Sequence, residues 1–236
     1  MLFYFLAALV GVSLGMLGAG GSILAVPILH EVGGLEAKTA IATSLAIVGA
    51  IALVGAAVHH KAVVWRTALF FALFGSFGTA LGTFLAHWMS GPAQMILFAV
   101  MMLGSAAGML KKERRPLKIP LALQAFGVGL FTGLVGVGGG FLIVPALVLL
   151  VGLEMSAAVP TSLAIIAANS AVGLLGYSRT THFDWGLVAG FLTAALAGMY
   201  AGTKLARRVD QEQLKQGFGV MLVVVALVIL ARNLQG

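Results

Sequence analysis

Long apolar runs separated by short polar stretches form the pattern of this chain. The first run covers residues 2–29 and is interrupted chiefly by Tyr4, by serines and by a glycine cluster at 18–21. A straight helix of that length would measure about 42 Å, whereas the hydrocarbon core of a bilayer is about 30 Å thick. The run is therefore either one long tilted helix or a helix of about fifteen residues, a break at 18–21 and a short return over 22–29. We favour the broken form.

Three further apolar runs follow in the first half of the chain, at 39–58, 66–87 and 92–110. Each is close to the length of about 20 residues that a helix needs to cross a bilayer. The run 66–87 also carries small residues three and four positions apart, which share one helical face: Gly75, Gly78, Thr79, Gly82 and Thr83. Such a face predicts a seam at which two membrane helices pack closely.

The same order of motifs occurs twice. Seven of thirteen residues are identical between 15–27 and 133–145, at an offset of 118, and the motif Thr-Ser-Leu-Ala-Ile at 43–47 recurs unchanged at 161–165. Internal repeats of this kind are a recurring construction in transporters. The predicted organisation is a single transmembrane domain over 1–236, with a first repeat at 1–110, a linker at 111–118 and a second repeat at 119–236.

The composition supports a membrane protein. Of all residues, 61% are hydrophobic and only 9% are charged, which is far too apolar for a soluble domain of this length. The predicted fold class is an all-α, polytopic integral membrane helix bundle, built from two homologous halves with glycine-broken helices and located in the cell (inner) membrane. Cysteine is absent, which excludes disulfides and thiolate metal sites.

The net charge of +7 does not indicate a nucleic-acid partner. Five of the fourteen lysines and arginines lie in the linker 111–118, as expected of a cytoplasmic loop. If all four apolar segments of each half cross the membrane, the halves are parallel. The fourteen lysines and arginines then divide nine against five between the two sides of the membrane. If the broken first segment of each half returns to the face it entered, the halves are inverted and the division is eleven against three. The inverted arrangement is favoured, and the parallel one stays open.

The glycine breaks are candidate anion sites. The N-terminus of a half-helix presents unpaired amides and the positive end of the helix dipole without burying a full charge, and glycine lets a ligand approach the backbone. The residues predicted to bind an anion in this way are Gly20, Gly21, Ser22, Gly138, Gly139 and Gly140. The alternative is that these glycines only allow two helices to pack closely.

Side chains near the breaks complete the candidate site. Four hydroxyls are predicted to be neutral donors to an oxyanion: Thr43, Ser44, Thr161 and Ser162. In membrane helices such hydroxyls also bond back to their own helix. Asn169 has no polar counterpart in the first half, and its amide is expected to contact either the substrate or a neighbouring helix. The two breaks and the two Thr-Ser pairs are expected to converge near the membrane midplane.

The other polar residues indicate neither an enzyme nor a metal site. No two of the five histidines have the i, i+4 spacing of a helical metal pair, and all seven acidic residues fall in predicted loops or at segment ends. Glu36 and Glu154 are predicted to begin helices, where the dipole favours an acid. The glycine runs lack the G-x-G-x-x-G register and no Walker lysine is present. We therefore predict a protein that is not an enzyme and needs no cofactor.

The sequence resembles the sulfite exporter TauE/SafE family. The resemblance rests on a glycine-rich motif ending in proline at 18–27 and 136–145 and on the two Thr-Ser-Leu-Ala motifs, and it extends over essentially the whole chain. It implies export of a small sulfur-containing anion, such as sulfite or an organosulfonate, through the inner membrane. The expected partners are this anion and the lipid bilayer, and a homo-oligomer stays open. Ser22 departs from the family pattern, because the second copy has Gly140 there. The competing hypothesis is a non-transporting membrane scaffold whose glycine motifs serve packing alone.

Overall fold

The computed structural model is all-helical over the residues it describes, as predicted. It describes residues 2–18, 20–86, 88–89, 91–110, 119–135, 140–177, 183–206 and 208–235, and no strand occurs among them. In the first half the helices are α1 Leu2–Leu17, α2 Gly20–Pro27, α3 Ala37–Val58, α4 Trp65–Ala86 and α5 Gly91–Leu110. In the second half they are α6 Leu121–Val135, α7 Gly140–Leu149, α8 Met155–Tyr177, α9 Trp185–Ala206 and α10 Gln211–Gln235. The linker 111–118 lies outside the described residues.

The exterior of the bundle is apolar, as a membrane protein requires. Within the described residues, three helices are long and apolar enough to span a bilayer: Met155–Val172, Trp185–Ala206 and Gln211–Ala231. On α4, the side chains of Leu69, Leu73 and Phe77 are all exposed. A stripe of exposed leucine and phenylalanine at four-residue spacing suits contact with lipid tails rather than with water.

The first apolar run is broken, which confirms the favoured prediction. α1 ends at Leu17, and Gly18 follows with φ +77°, a left-handed conformation that glycine adopts without strain. After the break, the Cα of Gly21 packs against the Val10 carbonyl, and Gly33 lies beside the Phe3 ring. The chain therefore doubles back along α1. A π-helical turn at Ile28–Val32 completes the return.

Small residues join the two halves through helix pairs that approach at backbone distance. On α9, Gly198 packs against the Ala8 carbonyl and Gly202 packs against the Val12 carbonyl of α1. Both residue numbers rise together, so α1 and α9 run in the same direction. Their close approach depends on the missing side chain at each glycine.

The predicted seam on α4 contacts α6. Gly78 packs against the Phe126 carbonyl and Gly82 against the Leu130 carbonyl, while the Thr79 hydroxyl donates to the Gly129 carbonyl at 3.2 Å. The prediction of a small-residue seam is confirmed at these positions, and the side chain of Thr83 lies outside the description. The α4–α6 pair is also parallel, because its contacts advance together along both helices.

The equivalent helices α3 and α8 pack against each other in opposite directions. A Cβ added at Gly49 would lie 2.8 Å from the Ser170 Cβ, and one added at Gly55 would lie 2.8 Å from Leu163 Cδ1. The number on α8 falls as the number on α3 rises, so the pair is antiparallel. Glu36 is the N-cap residue of α3 and Glu154 directly precedes α8, as predicted for both acids.

Candidate functional site

A cavity of about 340 Å³ lies at one end of the bundle. It is enclosed by the C-terminal ends of α1, α3 and α9 and by the first turns of α8 and α10. The polar residues that line it are His59, Ser156, Thr203 and Gln211. A hydrogen bond joins α8 and α10 at its rim, where the Ser156 amide donates to Oε1 of Gln211 at 3.0 Å. The volume is in the range of small-ligand sites.

Two further cavities are poorer candidates. A groove of about 550 Å³ between α5, α6 and α7 has mainly apolar walls, with Ser105 and Gln124 among its polar residues. Gln124 uses its Nε2 to donate to the Ile119 carbonyl at 2.9 Å. A depression of about 440 Å³ lies beside Tyr4, Gly33 and Asp184. The 340 Å³ cavity is the candidate site, because its lining residue Val159 contacts Gly18 of the first break and because four polar residues line it.

The first glycine break contacts the second Thr-Ser motif close to this cavity, although Gly18, Thr161 and Ser162 do not line it. A Cβ added at Gly18 would lie 2.6 Å from the Ser162 Oγ and 3.1 Å from the Val159 Cα. Val159 is the residue of this contact that lines the cavity. Gly20 begins α2 just beyond the contact, and the first amides of a helix point back past its N-terminus.

The hydroxyls of the second motif are buried and already make hydrogen bonds within the protein. Oγ1 of Thr161 accepts from the Val64 amide at 3.0 Å, at the start of α4. The Ser162 hydroxyl donates to the Val159 carbonyl of its own helix at 2.7 Å. Thr161 therefore retains its hydroxyl hydrogen for a further acceptor, whereas Ser162 follows the back-bonding alternative.

The two Thr-Ser pairs do not meet. The antiparallel register of α3 and α8 places Thr43 near the start of α3 and Thr161 near its end, about 20 Å apart along the helices at 1.5 Å per residue. Thr43 and Ser44 are buried, but they do not line the cavity. The expected convergence at one midplane point is therefore wrong. Helices that run in opposite directions carry equivalent residues to opposite ends of the pair.

The remaining predicted site residues divide into three groups. Gly138 and Gly139 lie outside the described residues, and Gly140 begins α7, which contacts α2. Gly21 faces α1, as described above, and the side chain of Ser22 is not described. Asn169 is half-buried with its Oδ1 3.4 Å from the Ser76 hydroxyl of α4. This contact favours the interhelical alternative for Asn169.

Two basic residues near the cavity were not singled out from the sequence. Lys215 is completely buried, with its Nζ 3.6 Å from Oε1 of Glu212. Lys215, Phe218 and Leu222 are three and four positions apart and so lie on one face of α10, and all three are buried. This spacing in the sequence could have identified a lysine that faces inward. His59 was expected only at a membrane edge. It does lie at the end of α3, but it is also one of the residues that line the cavity.

Comparison with known proteins agrees with this architecture. The profile of the family described as sulfite exporter TauE/SafE matches residues 3–229. A relative from Xylella fastidiosa (strain 9a5c), named probable membrane transporter protein, is 32% identical over 95% of this chain and 92% of its own length. A relative from Bacillus subtilis (strain 168), named probable membrane transporter protein YunE, is 26% identical over 90% of this chain and 89% of its own length. The chain belongs to the sulfite exporter TauE/SafE family.

Proposed function

We propose that this membrane transporter moves a small sulfur-containing anion, such as sulfite or an organosulfonate, and binds it in the 340 Å³ cavity. The observation that carries the proposal is the contact of Gly18 with Ser162 and with the cavity-lining residue Val159. The start of α2, a source of free amides, follows this contact and lies close to a cavity with hydroxyl and amide side chains. Backbone amides at a helix N-terminus bind oxyanions without a second full charge. The family match supports the substrate class.

The charge around the cavity also favours an anion. Among the described residues that line it, none is acidic. Lys215 follows the lining residue Leu214 in the sequence but does not itself line the cavity. Its Nζ pairs with Oε1 of Glu212 at 3.6 Å.

We further propose that the two halves are inverted repeats. Equivalent helices of an inverted pair cross the membrane in opposite directions, and α3 and α8 are antiparallel. The doubling back of α2 along α1 leaves the first segment on the side where it began. With this topology only Lys38, Arg179 and Arg232 fall on one side, and eleven cations fall on the other. The basic side is then cytoplasmic, and the cavity opens toward it.

Single-cysteine labelling tests this topology, because the chain has no native cysteine. Glu113→Cys and Arg208→Cys should react with an impermeant maleimide only from the cytoplasmic side, whereas Gly236→Cys should react only from the outside. Labelling of Gly236→Cys and Glu113→Cys from the same side would support eight crossings and parallel halves. A scan in permeabilised cells confirms that each cysteine is reactive.

Flux through proteoliposomes tests the transport proposal. The wild-type protein should move labelled sulfite and sulfoacetate faster than chloride. Thr161→Val removes the hydroxyl, so we expect apparent affinity to fall about three- to tenfold, the value of one hydrogen bond of about 0.5–1.5 kcal/mol. Thr161→Ser keeps the hydroxyl and should restore it.

Thr161→Val also leaves the Val64 amide without its acceptor, so its flux is compared per folded protein. The thermal unfolding midpoint in detergent measures separately the stability that is lost with the Val64–Thr161 hydrogen bond. If the wild-type protein moves no anion, the scaffold hypothesis replaces transport. If Thr161→Val loses stability yet keeps the wild-type affinity, Thr161 has a packing role only.

A further inference from the structure

His59 has one ring nitrogen committed to the protein and one left for the cavity. Its Nδ1 lies 3.0 Å from the Gly55 carbonyl, and its own backbone amide donates to that same carbonyl at 3.1 Å. A carbonyl oxygen only accepts, so Nδ1 carries the hydrogen. His59 is one of the residues that line the cavity, and Nε2 is the ring nitrogen that this hydrogen bond leaves for a ligand.

The charge state of the ring decides what Nε2 offers to an anion. In the neutral ring Nε2 presents a lone pair, which repels an anionic oxygen. In the protonated ring Nε2–H is a charge-assisted donor, the stronger class of hydrogen bond.

None of the other charged groups that the structure describes around this end of the bundle lines the cavity. Lys204 on α9 lies over the Tyr200 ring at 4.5 Å, and Lys215 on α10 pairs with Glu212. The described residues of α1 and α8 that line the cavity are uncharged. The further charged or titratable side chains exposed near this end are His60, Lys61, Arg66, Glu154, Arg208 and Asp210.

We infer that anion binding in this cavity is proton-linked, with the anion and a proton taken up together at His59. The inference rests on the proposed function and adds the coupling ion to it. Histidine is the side chain whose ordinary charge change falls between about pH 5 and pH 8, which suits it to such a link. By reciprocity, the proton raises the affinity for the anion by the same factor as the anion raises the affinity for the proton.

Calorimetric titration with methanesulfonate tests the inference, because the charge of this anion does not change in the relevant range. The wild-type affinity should fall about tenfold from about pH 5.5 to about pH 8 as the imidazolium is lost. His59→Gln is neutral at every pH and should bind weakly and without this dependence. His60→Gln is the matched control, since His60 is exposed and bonds to the Ala57 carbonyl outside the cavity. It should behave like the wild type.

A second measurement needs no variant. Titrations of the wild-type protein in buffers of different ionisation enthalpy report the protons taken up per anion bound, and we expect uptake near neutral pH. Binding without uptake, or a pH dependence that survives His59→Gln, would overturn the proton link while leaving the anion site intact. Absence of methanesulfonate, sulfite and sulfoacetate binding at every pH would overturn the proposed function and the proton link together. If His59→Gln fails to fold, the number of protons taken up per anion bound by the wild-type protein and by His60→Gln decides whether binding is proton-linked.

Discussion

Gly198→Ala should yield little folded protein. A methyl group at this position would overlap with the Ala8 carbonyl of α1, and both contacting groups are backbone that no rotamer change can move. Overpacking of a core typically costs about 1–3 kcal/mol, and a backbone contact at a parallel helix crossing should reach or exceed the upper value. The effect should appear as loss of monodisperse protein in detergent and as a lower thermal midpoint.

Gly217→Ala is the matched control for this prediction. Gly217 lies in α10, and a methyl group there would meet no atom within 4 Å. Alanine is favoured over glycine in a helix by about 0.5–1 kcal/mol, so this variant should be unchanged or slightly more stable. Equal behaviour of Gly198→Ala and Gly217→Ala would show that α1 and α9 do not approach at backbone distance.

Gly18→Ala should disturb both the break and the cavity wall. Its φ of +77° strains an alanine by about 1–2 kcal/mol, and its methyl group would lie 2.6 Å from the Ser162 Oγ. The crowding adds about 1–3 kcal/mol. We expect a lower thermal midpoint and, if the start of α2 binds the anion, a loss of flux greater than the loss of folded protein.

Two further variants separate the effect of backbone strain at Gly18 from the effect of crowding against Ser162. Gly34→Ala carries the same kind of backbone strain, with φ +69°, but its methyl group would meet nothing within 4 Å. Its stability should therefore fall only by the strain energy, and its flux should stay unchanged. Ser162→Ala removes the crowded oxygen, so the double variant with Gly18→Ala should be less unstable than the sum of the two single variants. Strict additivity, or equal flux losses in Gly18→Ala and Gly34→Ala, would contradict the assigned role of the Gly18–Ser162 contact.

The helices and the first break were predictable because they depend on local chemistry. An apolar run too long for one span, with glycines at its centre, indicates a broken helix, and α1 and α2 meet at that place. Small residues at three- and four-residue spacing predicted the seam on α4 for the same reason. These features depend on residues within a few turns of one another, which a sequence displays directly.

The side chains of the candidate site were predictable only in part. Thr161 and Ser162 were identified as candidate donors, and the structure places Ser162 beside Gly18 of the first break. Their hydrogen bonds to Val64 and Val159 were not predictable, since one crosses to another helix and the other depends on a rotamer. His59 was expected only at a membrane edge and Lys215 was not singled out, because a position in the sequence does not say which way a side chain points.

The sequence alone is enough to predict the all-helical fold class, the positions of the helices, the break near Gly18 and the duplication of motifs. The contact of the first break with the second Thr-Ser motif depends on tertiary packing, because Gly18 and Ser162 belong to different halves of the chain. The tertiary structure also decided that the two Thr-Ser pairs lie apart, since that follows from the antiparallel direction of α3 and α8. Identical motifs specify identical local structure, but the relative direction of the two copies is set by contacts between helices far apart in the chain.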